Sequence, residues 1–341
     1  MDEIRNIEEL EERLSRPTDA AIEALEKIPG DLVLLGVGGK MGASLAGMAK
    51  RACAARGDTR RIIGVSRFGD PRVREQFAEW GVETIAGDLT DRRFVQSLPE
   101  AASVVFMTGM KFGSTGQEPL TWAMNAYVPA LVCEKYAGSR IAAFSTGNVY
   151  GLVPHDSGGS VESDPLHPVG EYAMSCLGRE RMFEYFCDRD RTPVSILRLN
   201  YSTELRYGVI IDLAQKVHSG EPIDLSMGYV NVIWQGDACA LTLCALADCA
   251  VPARIVNIAG PEMLRVKDVC EQIGALLGKS PVFTGREADD ALLNNGSAAH
   301  SRYAAPSIKI DQILEWSAAW VANGGETLDK PTHFESREGK F

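Results

Sequence analysis

The stretch DLVLLGVGGKMGASLAGMAKRACA, residues 31–54, sets Gly36, Gly39 and Gly42 at three-residue intervals between a short apolar run and a helical pattern. Glycines so placed do phosphate chemistry. They permit a tight turn, let backbone N–H groups approach a pyrophosphate, and let the following helix pack closely on the strand. The strand before and the helix after are both present, so Gly36, Gly38, Gly39, Met41 and Gly42 are expected to cradle a dinucleotide. Lys40, inside the loop, is either a charge beside phosphate or a solvated lysine.

The next apolar run ends in GVSRFGD. An acidic residue there would hydrogen-bond the ribose hydroxyls of NAD, whereas an arginine accommodates the extra phosphate of NADP. Ser66 and Arg67 occupy the position, with Asp70 a little later, which favours NADP over NAD. The alternative for Arg67 is an ordinary surface charge.

These residues need a scaffold, and the chain supplies one. From residue 31, the runs DLVLLGV, RRIIGVS, ETIAG, SVVFMTG, RIAAFSTG and VSILRLN alternate with amphipathic stretches, the pattern of buried parallel strands in βαβ units. The expected class is α/β, a Rossmann-type doubly wound parallel sheet with a smaller C-terminal substrate lobe. Three segments are expected: a helical cap over 1–30, broken near Pro17; the dinucleotide domain over 31–203; and, over 204–341, mainly the lobe and tail. Runs near 230–236 and 254–260 are expected to rejoin the sheet. The tail KPTHFESREGKF reads as either an ordered flap or a loose end.

The 341 residues suffice for a large core, and a net charge of -11 argues against nucleic acid or an anionic membrane as partner. Apolar runs fall short of the ~18 residues of a membrane span, and the acidic, helical start does not read as a secretory signal. Eight cysteines without a Cys-x-x-Cys pair, and five histidines without metal-ligand spacing, suggest a reducing, cytoplasmic setting and no metal.

Beyond the glycines, the sequence resembles the extended short-chain dehydrogenase/reductase family, and within it the NAD-dependent epimerases and dehydratases of nucleotide sugars. AGDLTD, with Asp88 and Leu89, is similar to the family's adenine-contacting segment. VVFMTGMKFGSTGQEPLTWAMN is similar to UDP-galactose 4-epimerases, with Gly109-Met110-Lys111 matching a Gly-Leu-Lys turn and Asn125 matching a helix asparagine. AFSTGNVYG resembles the strand end that carries the catalytic hydroxyl, here Thr146, preceded by Ser145; Tyr172 follows at nearly the family's spacing, and Asn200 closes a similar ILRLN strand. The resemblance spans about residues 31–285. It implies that Thr108, Gly109, Lys111, Asn125 and Ser145 join Asp88 and Leu89 around the cofactor, that Thr146 and Tyr172 are catalytic, and that Asn148, Asn200 and Arg206 meet the substrate. It also implies a homodimer through helices around 119–137 and 170–187.

One position departs from the pattern. The family's tyrosine is followed four residues later by a lysine whose charge favours tyrosinate; here EYAMSCLGRE puts Cys176 in the lysine's place. A unit charge ~4 Å away at an effective dielectric near 20 is worth up to about 4 kcal/mol, roughly three pKa units of tyrosine acidity. A thiol supplies none of this. Lys111 and Arg179, seven residues after Tyr172 on the same helical face, are the candidate replacements. Cys176 itself reads as a buried structural thiol or, less simply, as a redox group at the catalytic position. The Tyr-Gly-Pro and Asp-Glu elements of sugar-nucleotide enzymes are also missing, which disfavours dehydration and gives no support to a nucleotide handle on the substrate. The expectation is an NAD(P)-dependent oxidoreductase or epimerase acting on a sugar or sugar-acid-like small molecule. Its rival is a catalytically impaired NAD(P)-binding regulator or sensor.

Overall fold

The computed structural model describes residues 3–339 except Asp70, Phe112 and Ser114, and only the backbone of Arg72. Seven strands form the main sheet: β1 Leu32–Leu35, β2 Ile62–Ser66, β3 Glu83–Ala86, β4 Ser103–Phe106, β5 Arg140–Thr146, β6 Val194–Leu199 and β7 Arg254–Ile258. All pair in parallel, in the order β7-β6-β5-β4-β1-β2-β3. Strand order reverses between β4 and β1, and the crevice beyond their carboxyl ends is where such sheets bind ligands.

Alternation along each strand feeds two cores. Leu32, Leu34, Ile62, Val105, Ala142 and Leu197 face one side, packed with α2 Asp19–Glu26, α3 Gly42–Ala54 and the later helix Gln235–Ala247. Val33, Leu35, Ile63, Val104, Phe106, Ile141 and Ile196 face the other, with Phe183, Phe186 and Cys187 of the long helix Gly170–Asp190. Burial on both faces explains why the strands read as continuous apolar runs.

A third core builds the lobe, from helices Val209–Ser219, Val266–Leu277 and Ile310–Ala322. The N-terminal segment joins two of the cores. Asn6 caps α1 Ile7–Leu14, whose Leu10 and Leu14 enter the lobe core, while Thr18, just after Pro17, caps α2, whose Ala21 and Leu25 enter the sheet core.

The two late runs part company. Arg254–Ile258 joins the sheet, but Ile233–Trp234 pairs with Ser202–Thr203 outside it, because Gln235 already opens a helix and leaves too short an extended run. As far as Gly339 the tail is ordered against the lobe, with Thr332 and Phe334 buried; Lys340 and Phe341 lie outside the described residues. Asp70 lies outside the described residues. No helix among those described is long and apolar enough to cross a membrane.

Candidate active site

One cavity of about 340 Å³ opens at the carboxyl ends of β1, β4, β5 and β6. Its first wall is the glycine turn. Gly36 has φ +95°, and a Cβ there would meet Thr108 Oγ1 at 2.6 Å; one on Gly38 would meet Ser66 Oγ at 2.3 Å, and one on Gly42 would meet the Val37 carbonyl at 2.0 Å. The turn therefore excludes side chains at three of its glycines. Thr108 Oγ1 is buried with no hydrogen-bond partner among the described residues. A cradle closed to Cβ atoms, an orphaned hydroxyl behind it and the N-terminus of α3 beside it all suit a dinucleotide pyrophosphate.

Lys40 turns inward from this loop, its ammonium 3.1 Å from the Tyr207 ring centroid. Burial, then the neighbouring Lys111 and Lys330 charges, hold its pKa down at about 7. Gln235 donates to Ser44 Oγ at 2.9 Å and to the Lys40 carbonyl at 3.4 Å, tying the loop to the helix across the cavity. At the end of β2, Ser66 is half-buried and Arg67 exposed. The Asp88 carboxyl is held below its usual range by hydrogen bonds from Thr90, helped by Arg67, and Leu89 is buried beside it.

The opposite wall carries Thr146, Asn148 and Tyr172. Thr146 Oγ1 accepts from the Asn148 backbone N–H at 3.2 Å and from Asn148 Nδ2 at 2.9 Å. Its own hydroxyl hydrogen is thereby left toward Tyr172, whose phenol pKa Thr146 pulls down. Tyr172 also packs against the small cluster that contains Cys176. Burial drives the phenol well above its ordinary pKa and Cys176 adds to this; Arg179 and Thr146 pull the other way without cancelling it. Cys176 is fully buried, packed with Val149 and Tyr150, and burial raises its thiol pKa too. It stands behind the tyrosine as a neutral partner rather than in the cavity wall.

Two cations flank this pair. Arg179 donates from Nη1 to the Phe144 carbonyl at 2.8 Å and from Nη2 to Asn125 Oδ1 at 2.6 Å. A Cβ on residue 109 would come within 2.4 Å of that Nη2, so Gly109 leaves room for the guanidinium. Asn125 lies in a π-helical turn, Ala123–Tyr127, a distortion that often marks functional sites. Asn125 Oδ1 also accepts from the Met110 N–H at 2.9 Å, while Nδ2 donates to Ser175 Oγ at 2.9 Å, so the 109–111 loop is fastened to the tyrosine's helix. Lys111, on that loop, sits with its ammonium 5.9 Å from the Tyr172 ring centroid, its pKa lowered by burial to about 8.

Three expected residues have other engagements. Ser145 lines the cavity, but its hydroxyl donates to Glu180 at 2.5 Å; Glu180 is ion-paired at 2.8 Å with buried Arg198, which continues to Tyr150 and Asn257. Asn200 also lines the cavity, yet its amide donates to Asn231 at 2.8 Å. Arg206 does not line it: its guanidinium pairs with Glu11 at 2.7 Å and Glu204 at 3.1 Å, clipping α1 to the lobe. Its expected contact with the substrate gives way to these two carboxylates. The sequence reading missed Tyr201, Tyr207, Gln235 and Thr332, all in the cavity wall. Tyr201 carried one legible signal, its place at the end of ILRLN; the structure adds a strained φ of +34°.

A family described as NAD dependent epimerase/dehydratase has a model that matches residues 32–259. Among solved structures, MoeE5 in complex with UDP-glucose and NAD is 20% identical, with TM-score 0.69 over 86% of this chain and 99% of that one. UDP-glucuronic acid 4-epimerase from Bacillus cereus in complex with NAD is 16% identical, TM-score 0.69, over 85% and 96%. dTDP-glucose 4,6-dehydratase from Bacillus anthracis in complex with NAD is 17% identical, TM-score 0.70, over 86% and 96%. No curated protein sequence matches significantly. At these identities the structural likeness establishes the fold.

Proposed function

The chain belongs to the NAD dependent epimerase/dehydratase family, and on that premise we propose that it is an NAD(P)-dependent oxidoreductase or epimerase working on a hydroxyl-bearing carbon of a sugar or sugar acid. One observation carries this reading: Tyr172 and Thr146 stand together in the wall of the same cavity whose other end is the glycine cradle. Gly36, Gly38, Gly39, Met41 and Gly42, with Thr108 behind them, would hold the dinucleotide, and Lys111 would border its ribose on the loop that buried Asn125, outside the cavity lining, fastens. A nicotinamide bound there supplies hydride exchange with the substrate carbon.

The chain's own residues handle the proton. Asn148 fixes the Thr146 oxygen, Thr146 orients the substrate oxygen, and Tyr172 gives or takes the proton at that oxygen. Burial and the neutral Cys176 keep the phenol protonated near pH 7, so Tyr172 is set to act as an acid toward a carbonyl rather than as a base toward an alcohol. Carbonyl reduction should therefore run at neutral pH with the phenol already protonated, whereas alcohol oxidation, which needs tyrosinate, should accelerate only as pH rises past the ordinary tyrosine range of about 10. The test is a screen of sugars and sugar acids for change at the reduced-nicotinamide absorbance band, in both directions and across pH. Equal turnover by wild type and Tyr172→Phe on an accepted substrate would sink the mechanism.

Exposed Arg67 at the end of β2 supports a preference for NADP over NAD, measured as the ratio of the two dissociation constants with and without Arg67→Ala. Leu120, Tyr127, Met174 and Tyr185 are all about half exposed on the helices flanking the site. They support a homodimer through this face, which sedimentation of Tyr127→Glu against wild type would test.

A further inference from the structure

We propose that residues 326–339 are a built-in plug that fills the lobe side of the active site, so that the substrate is a small unconjugated polyhydroxy acid rather than a nucleotide-linked sugar. This rests on the reading of the cavity as an active site and names what that site admits. The segment lies outside the 32–259 match to the family.

Its course is fixed at every step. The Leu328 N–H donates to the Arg206 carbonyl at 3.0 Å. Thr332 then clasps the first turn of helix Val209–Ser219: its N–H and its Oγ1 both donate to Asp212 Oδ2, at 2.7 and 2.6 Å. Two residues on, the Phe334 ring is buried in the lobe core and its carbonyl accepts from the Tyr201 hydroxyl at 3.5 Å. Arg337 donates to the Ser226 and Asp290 carbonyls at 3.0 and 3.1 Å and pairs with the Asp290 carboxylate. Gly339 ends against Gly170, where a Cβ would lie 2.5 Å from the Gly339 carbonyl oxygen. The segment thus runs from the cavity wall to the turn that opens the helix carrying Tyr172.

Two consequences follow. Thr332, with Tyr201, Ser202, Tyr207 and Val209, lines the cavity on the lobe side. The tail thus takes up the side of the cavity, beyond the cofactor's end, along which a nucleoside diphosphate carried by the substrate would have to extend. Among the described residues, the charged side chains that line the cavity are all cations, Lys40, Lys111 and Arg179, while the nearby carboxylates Asp212 and Glu204 stand outside its lining. An ammonium beside Tyr172 is a partner for a carboxylate on the substrate itself.

The experiment is equilibrium calorimetry on the full-length protein saturated with NADP or NAD, titrated with UDP, UDP-glucose, glucose and glucuronate. The expected result is no binding of UDP or UDP-glucose up to about 1 mM, and glucuronate bound at least tenfold more tightly than glucose. A UDP-glucose dissociation constant below about 100 µM would overturn the plug. Equal affinity for glucose and glucuronate would overturn the acid. In Thr332→Gly/Phe334→Gly, whose folding is checked by circular dichroism, UDP affinity should rise at least tenfold; a folded variant with no gain counts against the plug, and the wild-type titration decides on its own if the variant does not fold. Binding is read without turnover, so a failure of Tyr172 chemistry registers separately, in the Tyr172→Phe assay.

Discussion

The glycine turn and the surroundings of Tyr172 face each other across one cavity, but they are made differently. The turn is backbone. Its specificity lies in what it excludes, since side chains at Gly36, Gly38 or Gly42 would collide within 2.6 Å of their neighbours. The tyrosine's surroundings are side chains drawn from separate elements: Thr146 from β5, Asn125 from a π turn, Lys111 from a loop, and Cys176 and Arg179 from the tyrosine's own helix. A backbone site tolerates almost no variation at its glycines. A side-chain site can lose one charge and be rebuilt around another, which would let Cys176 stand where the family resemblance implies a lysine.

The largest effects should separate the two ends. Tyr172→Phe should cut turnover about a thousandfold while leaving cofactor affinity unchanged, because the proton-transferring group is lost and the cradle is not touched. Gly42→Val should do the reverse, abolishing cofactor binding because its Cβ would sit 2.0 Å from the Val37 carbonyl oxygen. Parallel calorimetry and kinetics on both variants check the division. A loss of cofactor affinity in Tyr172→Phe would mean that the two ends are one coupled unit.

Arg179→Leu comes next. It strands the buried Phe144 carbonyl and leaves Asn125 Oδ1 with the Met110 N–H alone, so denaturant unfolding should show a loss of about 1–3 kcal/mol. Charge and geometry separate in Arg179→Lys, which keeps the cation but not the two-armed contact. If Arg179 supports the tyrosine electrostatically, the lysine variant should recover the pH profile of oxidation better than it recovers stability. Cys176→Lys then installs the lysine that the family resemblance implies at this position. It should lower the pH midpoint of alcohol oxidation by one to three units. An unmoved midpoint would show that Arg179 and Lys111 already supply all the support the site can use.

The same contrast decides what was legible in the sequence. Glycine spacing, strand runs and their order of appearance are local signals, and from them the α/β sheet, the cradle and the Thr146–Tyr172 placement could be written down. Arg179 was reachable because seven residues bring it back to the tyrosine's face of one helix. Tyr207, Gln235 and Thr332 reach the cavity only through tertiary folding, from three elements with no periodic relation to it. Arg206 shows the opposite failure: a cation near the right strand reads as a substrate contact until Glu11, nearly two hundred residues earlier, turns out to pair with it. The misassigned run near 233 fails for a similar reason, since two extended residues can pair with any exposed edge that the fold brings near.

Lys40 joins the two ends, belonging to the cradle by sequence and to the side-chain cluster by position, and its predicted effect is the smallest and the most diagnostic. In the free protein, burial and the neighbouring lysines hold its pKa at about 7, against about 10.4 for an unperturbed lysine. The unfolded chain thus binds more protons between those values, so Lys40 costs stability below pH 7 and the cost fades as pH rises toward 10. Ligand binding has the opposite sign. A pyrophosphate stabilises the ammonium and raises its pKa, so cofactor binding takes up a proton above pH 7, and affinity should fall by up to about tenfold per unit as pH climbs from 7 to 8. Lys111, at about 8, extends the decline. Lys40→Met should flatten the 7-to-8 segment and leave the later decline in place, read by calorimetry in buffers of different ionisation enthalpy. An unchanged slope would put Lys40 outside the phosphate site and return the cradle to backbone alone.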